Sequence, residues 1–588
     1  MITRIISLLM SFVVSVSGML FTSFNNIIDS VSEMIFGIPY TSEAVKSDFF
    51  EEIEENDVVA VDKNNGFIKD LTAVFIEENL SFAEKLALFG KTGGVLVGWS
   101  TVTDLYVIRY PAMDYDAVNK KCEELAKLDG IVFAMPVTTN KSTPDTAPDD
   151  PFDKYDFTYP EWDELNPCGS NWWLEAIQAR QAWDYSDYFN TVNIGIIESG
   201  IEVEHPEFEG KISFPSARHA KRNYGDFHGC HVAGIIGARH NNGTGIAGIC
   251  DDSHFICVDW SPDLLQFWNT ELAIFFGFAD VVKAGAKVVN FSLGISGSKT
   301  NDGNSLWEEY FSTAALSLMM SSLLSKGYDF VAVQSAGNGD YYGEPMNANY
   351  NGHFASLRKG NILTYGGLTA EDLLDRIIVV ASAKYDGYNG YVQSDFTNVG
   401  GAVSIAAPGE EIYSCSTNGE YEYLSGTSMA APMVTGVASL VWSVNPGFTG
   451  AEVKEIVCGS ANDVAIINRS HEYAYDVELM DYPMLNAKLA VEKAIMLTDS
   501  DFGTVSGKII GEKASEIIFN EKTYTLFSDG TYSFVAPESD GIAIVVDETG
   551  NEIGSFLLTV EAGKETSAGE YAVGTDIVPE PEETQPAA

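Results

Sequence analysis

The feature that most constrains this chain is a series of apolar runs, each ending in small and polar residues. Residues 191–197 (Thr-Val-Asn-Ile-Gly-Ile-Ile) end at Glu198-Ser199-Gly200. Residues 287–291 run into Ser292-Leu293-Gly294, and residues 330–334 run into Ser335-Ala336-Gly337-Asn338. Ile377-Ile378-Val379-Val380-Ala381 is a fourth. Runs of this kind are strands buried on both faces, and helical patterns lie between them. Residues 160–497 therefore read as an α/β domain around a parallel sheet. In open sheets of that class, sites form at the carboxyl ends of the strands.

Two further stretches carry chemistry. Gly426-Thr427-Ser428-Met429-Ala430-Ala431-Pro432 leads into Met433, Val434, Gly436, Val437 and Ala438, a buried helix that starts at a serine. Such a serine can present its hydroxyl to a substrate, and its backbone N–H can face a developing oxyanion. It can equally be an N-cap on a core helix. Asp226-Phe227-His228-Gly229-Cys230-His231-Val232-Ala233-Gly234 places a histidine at the start of a second small-residue helix, where it could act as a base. No further ligand stands at zinc-like spacing from His228, Cys230 and His231, which disfavours a metal reading.

The net charge of −50 argues against a nucleic-acid partner, because phosphates would be repelled. The seven cysteines are an odd number with no CxxC pair, so packed thiols are expected rather than a disulfide framework. Arg4 precedes an uncharged apolar run, Ile5 to Phe24. Residues 1–25 thus read as a signal peptide or a retained membrane anchor, and either places the remainder outside the cell.

Residues 66–138 show the order strand–helix–strand–strand–helix–strand, a ferredoxin-like α+β plan. Ser81 and Glu84 have capping-box spacing at the first of these helices. Residues 139–159 are a Thr-, Pro- and Asp-rich linker. Residues 503–571 alternate short strands with turn pairs, among them Asp529-Gly530, Asp540-Gly541 and Thr549-Gly550, and read as a small β-sandwich. Residues 572–588 form a Pro- and Glu-rich tail that reads as disordered.

Four segments, 197–201, 228–234, 335–338 and 426–432, resemble the signature segments of the subtilisin-like serine proteases, in that family's order. Asn290–Gly294, Ser394–Asn398, Ala407-Pro408-Gly409 and Leu485-Asn486-Ala487 resemble lesser ones. The resemblance implies a three-layer α/β/α domain and hydrolysis of peptide bonds through an acyl-enzyme. It implies Ser428 as nucleophile, His228 as general base and acid, and Asn338 with the Ser428 N–H as oxyanion donors. Ser292, Leu293, Gly294, Ala336 and Gly337 would line the substrate cleft. Residues 66–138 would be an inhibitory propeptide, an intramolecular partner cut off near the linker. Residues 503–571 resemble carboxypeptidase-regulatory-like β-domains.

Two positions depart from the family. Glu198 stands where its triad has aspartate, and Cys230 stands where threonine is usual. Glutamate carries the same charge on one more methylene, so the surroundings must absorb the extra length. An alternative reading follows from Glu198: a catalytically impaired relative that acts as an extracellular binding protein. Catalysis of this class needs no cofactor. A structural calcium ion is implied only by the likeness of residues 241–245 to a metal-holding loop, with Glu207 nearby. Two insertions, 297–309 and 341–366, flank the expected cleft.

Overall fold

The computed structural model describes residues 49–50, 57–61, 65–100, 102–140, 172–216, 219–220, 225–260, 269–294, 305–339, 344–358, 362–385, 390–461, 463–467, 477, 479–511, 513–527 and 529–573. The apolar run 5–24, the linker beyond residue 140, the tail beyond residue 573 and the first part of the 297–309 insertion lie outside them. The chain divides into two compact units. The first draws on Met1–Trp173, Thr191–Trp442 and Gly447–Leu485, and the second on Leu174–Asn190, Ser443–Pro446 and Asn486–Ala588.

In the first unit, β1 (Asn65–Ile76), α1 (Phe82–Thr92), β2 (Val95–Trp99), β3 (Leu105–Arg109), α2 (Tyr115–Leu125) and β4 (Ile131–Asn140) come in that order. The capping box forms, with Ser81 Oγ accepting from Glu84 N–H and the Glu84 carboxylate accepting from Ser81 N–H. Gly93 ends α1 at φ +75°, a conformation that costs glycine little. The strands pair antiparallel in the order β2-β3-β1-β4. Both faces of this sheet are apolar. One packs on its own helices through Val74, Ile76, Leu86, Phe89 and Val118.

The central sheet is built from β5 (Val192–Glu198), β6 (Ser253–Asp259), β7 (Val288–Phe291), β8 (Val331–Ser335), β9 (Ile377–Tyr385) and β10 (Ile405–Pro408). They lie side by side as β10-β9-β8-β7-β5-β6, all parallel. Every residue of β7, β8 and β10 is buried, as two-sided burial of apolar runs requires. The helices accompanying this sheet include α3 (Phe227–Gly237), α4 (Glu271–Lys283), α5 (Ser305–Ser325) and α6 (Thr427–Val444). Residues 305–309, the end of the 297–309 insertion, are the first turn of α5. Leu71, Phe75 and Met135, on the second face of the N-terminal sheet, join one core with Leu272, Phe275 and Phe278 of α4 and Met319, Met320 and Leu323 of α5. Asp104 adds ion pairs to Lys85 and Lys326 at this junction.

The second unit holds α7 (Ala487–Thr498) and seven strands: β11 (Phe502–Ile510), β12 (Ala514–Phe519), β13 (Lys522–Thr525), β14 (Thr531–Pro537), β15 (Ser539–Asp547), β16 (Glu552–Val560) and β17 (Glu565–Ala572). They form two sheets, β14-β11-β17 and β13-β12-β15-β16. Aromatic rings lie between the sheets, with Phe534 against Phe519 and Tyr524, and Phe556 against Tyr532 and Tyr571. Asp540-Gly541 is not a turn. It lies inside β15, where Gly541 pairs with Leu558 and leaves room for the Phe519 ring. The turn before β13 falls instead at Asn520 and Glu521, both at positive φ.

Candidate active site

Because β5, β7 and β8 are adjacent and parallel, their carboxyl ends share one edge. Glu198 closes β5, Ser292–Gly294 follow β7, and Ala336–Asn338 follow β8. The expected residues therefore meet for a topological reason.

Asp226 caps α3, its carboxylate accepting from His228 N–H at 2.9 Å and from Ser199 Oγ at 2.9 Å. That cap fixes the start of α3 against the end of β5. Two glycines let them touch. A Cβ on Gly229 would lie 2.0 Å from the Gly200 carbonyl oxygen, and Gly200 itself sits at φ +116°. In this close approach Glu198 Oε2 stands 2.8 Å from His228 Nδ1. Both side chains are almost wholly buried. With Nδ1–H donating to the carboxylate, Nε2 becomes the basic nitrogen. Burial pushes the Glu198 carboxyl above its ordinary value, against the pull of the His228 charge.

Ser428 is the second residue of α6 and is buried. Its hydroxyl donates to the Ser292 carbonyl at 3.1 Å, and Ser292 Oγ donates back to the Ser428 carbonyl at 2.9 Å. Behind them Asn290 Nδ2 donates to Ser292 Oγ, and Thr435 Oγ1 donates to Asn290 Oδ1, each at 2.9 Å. This buried chain ties α6 to β7. Asn338 Oδ1 accepts from both the N–H and the hydroxyl of Thr427 at 2.8 Å. Two donors on the oxygen fix the amide so that its nitrogen is the end turned away from Thr427. Asn398 secures the same loop, donating to the Ala336 carbonyl and accepting from Gly339 and Met346 N–H groups.

Sequence reasoning assigned no part to Thr427, Asn290, Thr435 or Asn398. Thr427, Asn290 and Asn398 lie inside motif segments. Asn290 and Thr435 are polar residues in otherwise apolar buried elements, which was the available signal.

The neighbours of His228 have separate employment. His231 Nε2 faces the Ile412 carbonyl at 2.9 Å and the Glu422 carbonyl at 3.2 Å, and burial lowers its pKa to about 3. Cys230 Sγ accepts from Glu202 N–H, and burial raises its thiol to about 12. Glu207 does lie against the 241–245 loop. Its carboxylate accepts from Asn242 Nδ2, Ile246 N–H and the Tyr421 hydroxyl. Asn242 thus turns a donor, not a ligand oxygen, toward Glu207. Among the described residues no three His, Cys, Asp or Glu side chains converge as a metal site. These donors satisfy the carboxylate as the loop stands.

The subtilase family model matches residues 190–475. Thermitase of Thermoactinomyces vulgaris is 30% identical over 295 residues, covering 50% of this chain and 88% of thermitase. An extracellular serine protease of Serratia marcescens is 25% identical over 343 residues, covering 50% of this chain and 32% of that protein. Among solved structures, fervidolysin of Fervidobacterium pennivorans, a keratinolytic enzyme related to subtilisin, superposes with a TM-score of 0.52 at 19% identity. That likeness covers 89% of this chain and 81% of fervidolysin, and it concerns the fold.

Proposed function

The chain belongs to the subtilase family and is a serine-type endopeptidase, and we propose that it works through Ser428, His228 and Glu198, with glutamate as the triad acid. The observation that carries this reading is the buried 2.8 Å contact between Glu198 Oε2 and His228 Nδ1. Room for the additional methylene is supported by the carboxylate reaching the imidazole while Gly200 and Gly229 keep α3 tight against β5.

His228 takes the Ser428 proton as the hydroxyl attacks the scissile carbonyl, so that proton is re-aimed from the Ser292 carbonyl. Glu198 holds the tautomer and stabilises the imidazolium. The Asn338 amide and the Ser428 N–H receive the oxyanion; losing one such donor costs about 10²–10³ in turnover. His228 returns its proton to the leaving amine, and water then releases the acyl group by the reverse sequence. The substrate is a protein or peptide lying extended along the backbone of Ser292, Leu293 and Gly294 on one side and Ala336 and Gly337 on the other.

We also propose an exported precursor. The run 5–24 would direct export, by removal or as a tether. Residues 66–138 would act as an inhibitory propeptide, a role supported by their apolar sheet face seated on α4 and α5. Cleavage would fall within 139–159.

The test is labelling with a fluorophosphonate, which reacts with an activated serine. Wild type should label, Ser428→Ala should not, and the purified wild type should shorten at the linker. Labelling confined to Glu198→Asp would overturn glutamate as a working acid.

A further inference from the structure

Residues 351–355, from the second insertion, enter the crevice between the ends of β7 and β8. Gln334, in β8, donates to the Leu293 and Gly352 carbonyls and accepts from Ala355 N–H at 2.8 Å. The turn that brings the segment in is held by Gly352 at φ +72° and His353 at φ +49°, and His353 packs edge-on against Phe291. At the inner end of this segment stands Asn351, 2% exposed. Its Nδ2 donates to the Ser335 carbonyl at 2.9 Å.

The Asn351 amide fills the space between the two edges of the cleft. A Cβ on Gly294 would lie 2.1 Å from Asn351 Oδ1 and 2.4 Å from its Cγ. A Cβ on Gly337 would lie 2.6 Å and 2.8 Å from the same two atoms. One amide therefore touches both glycines, and its Oδ1 accepts no hydrogen bond from a described residue.

The crevice also has a fixed relation to the chemistry. Ser428 Oγ is bonded to the Ser292 carbonyl at one wall, and Asn338 follows Gly337 at the other. The side chain of the residue whose carbonyl is attacked has this gap as its way in. We infer that Asn351 is a specificity-determining residue that floors this subsite and limits it to small side chains (glycine, alanine and serine), with Oδ1 available to accept from a serine hydroxyl. An aromatic ring or a branched aliphatic chain would need the volume that the amide holds. This inference rests on the proposed roles of Ser428 and the 292–294 and 336–338 edges.

The experiment maps cleavage sites in denatured casein by mass spectrometry and measures kcat/KM on matched peptides with alanine, serine, leucine or phenylalanine before the scissile bond. Wild type should favour alanine and serine over phenylalanine by at least about tenfold, the scale set by steric discrimination in a pocket. Asn351→Ala, which empties the floor, should narrow that ratio by at least about tenfold. A wild type that cleaves after leucine or phenylalanine as readily as after alanine would overturn the proposal, and that profile can be read whether or not the variant folds. Folded, active Asn351→Ala with an unchanged profile would also overturn it while leaving Ser428 as nucleophile. Hydrolysis that persists in Ser428→Ala would instead remove the reading on which both rest.

Discussion

Two buried glutamates, one in each unit, serve opposite ends. Glu492 of α7 lies 2.6 Å from Lys488 Nζ and accepts from the Tyr185 hydroxyl at 2.6 Å. That hydroxyl in turn accepts from Val535 N–H. The set closes α7 onto the β11–β14–β17 sheet. Glu198 is as deeply buried, but its charged partner is an imidazole, a group that can gain and lose a proton near neutrality. A carboxylate matched by a lysine and a phenol holds structure in place. A carboxylate matched by a histidine keeps a charge ready for a proton that comes and goes.

The comparison is tested most severely by removing the groups around His228. Ser428→Ala should lower turnover by on the order of 10⁶, the cost known for subtilisin rather than one derived from this geometry, with the melting temperature nearly unchanged. Glu198→Gln should cost about 10⁴ in kcat, because an amide can hold the wrong tautomer. Glu198→Asp draws the carboxylate back by about one bond, and a misplacement of about 1 Å costs roughly 10². Steady-state hydrolysis of a chromogenic peptide ranks all three. An aspartate variant faster than wild type would show that the backbone has not adapted to glutamate.

Much of this site was legible in the sequence, for a reason visible in particular residues. Glu198, Ser292 and Asn338 each follow a buried run, so finding the strands found the edge, and His228 and Ser428 each open a small-residue helix. Asn351 was not legible. It sits in an Asn-, Gly- and Tyr-rich insertion that reads either as a cleft-shaping segment or as a surface loop, and its burial arises from contacts with Gly294, Gly337 and Ser335, outside that insertion. The strands β12 and β17 were not legible either. Thr566, Ser567, Gly569 and Glu570 of β17 carry no apolar alternation, and what makes that segment a strand is its pairing with β11.

On the structural side of the comparison, Lys488→Met should destabilise the second unit by about 3–5 kcal/mol, because it strands Glu492 without its cation. The double variant Lys488→Met/Glu492→Leu should recover much of the loss. Urea denaturation with a probe in the β-sheets reads both, and peptide hydrolysis should not follow the change. If the double variant is no better than the single one, the lysine contributes packing rather than charge.

A smaller effect separates the two histidines of α3. His231 is held neutral, with its folded pKa lowered to about 3 from 6.5. A group with a lowered pKa stabilises the fold fully above its unfolded value, and that contribution drains away as pH falls through the folded one. The window therefore runs from about 6.5 down to about 3. His353, lowered to about 4 by burial, acts in the same direction. His231→Gln keeps an N–H for the Ile412 and Glu422 carbonyls and does not titrate. Its melting temperature should fall less steeply than that of wild type between pH 6 and pH 4, about the pH range that these two groups span. A slope identical to that of wild type would place the acid sensitivity elsewhere.

The smallest effect is expected at Cys230, two residues after His228 in α3. It is buried, and its thiol is pushed up to about 12, so almost none of it is thiolate at neutral pH. Cys122, Cys250, Cys257 and Cys415 are buried free thiols raised in the same way, and Cys458 is raised to about 11. A bulky maleimide should therefore leave hydrolysis within about twofold of the untreated protein, with no Cys230 adduct on the peptide 225–239 until denaturant is added. Native labelling at Cys230 would mean that the start of α3 opens on the timescale of the reaction. The same opening would separate Glu198 from His228, because Gly229 and Cys230 travel together. Intact-mass kinetics at several maleimide concentrations would then give the opening rate, and that rate would bound how long the glutamate–histidine pair stays assembled between turnovers.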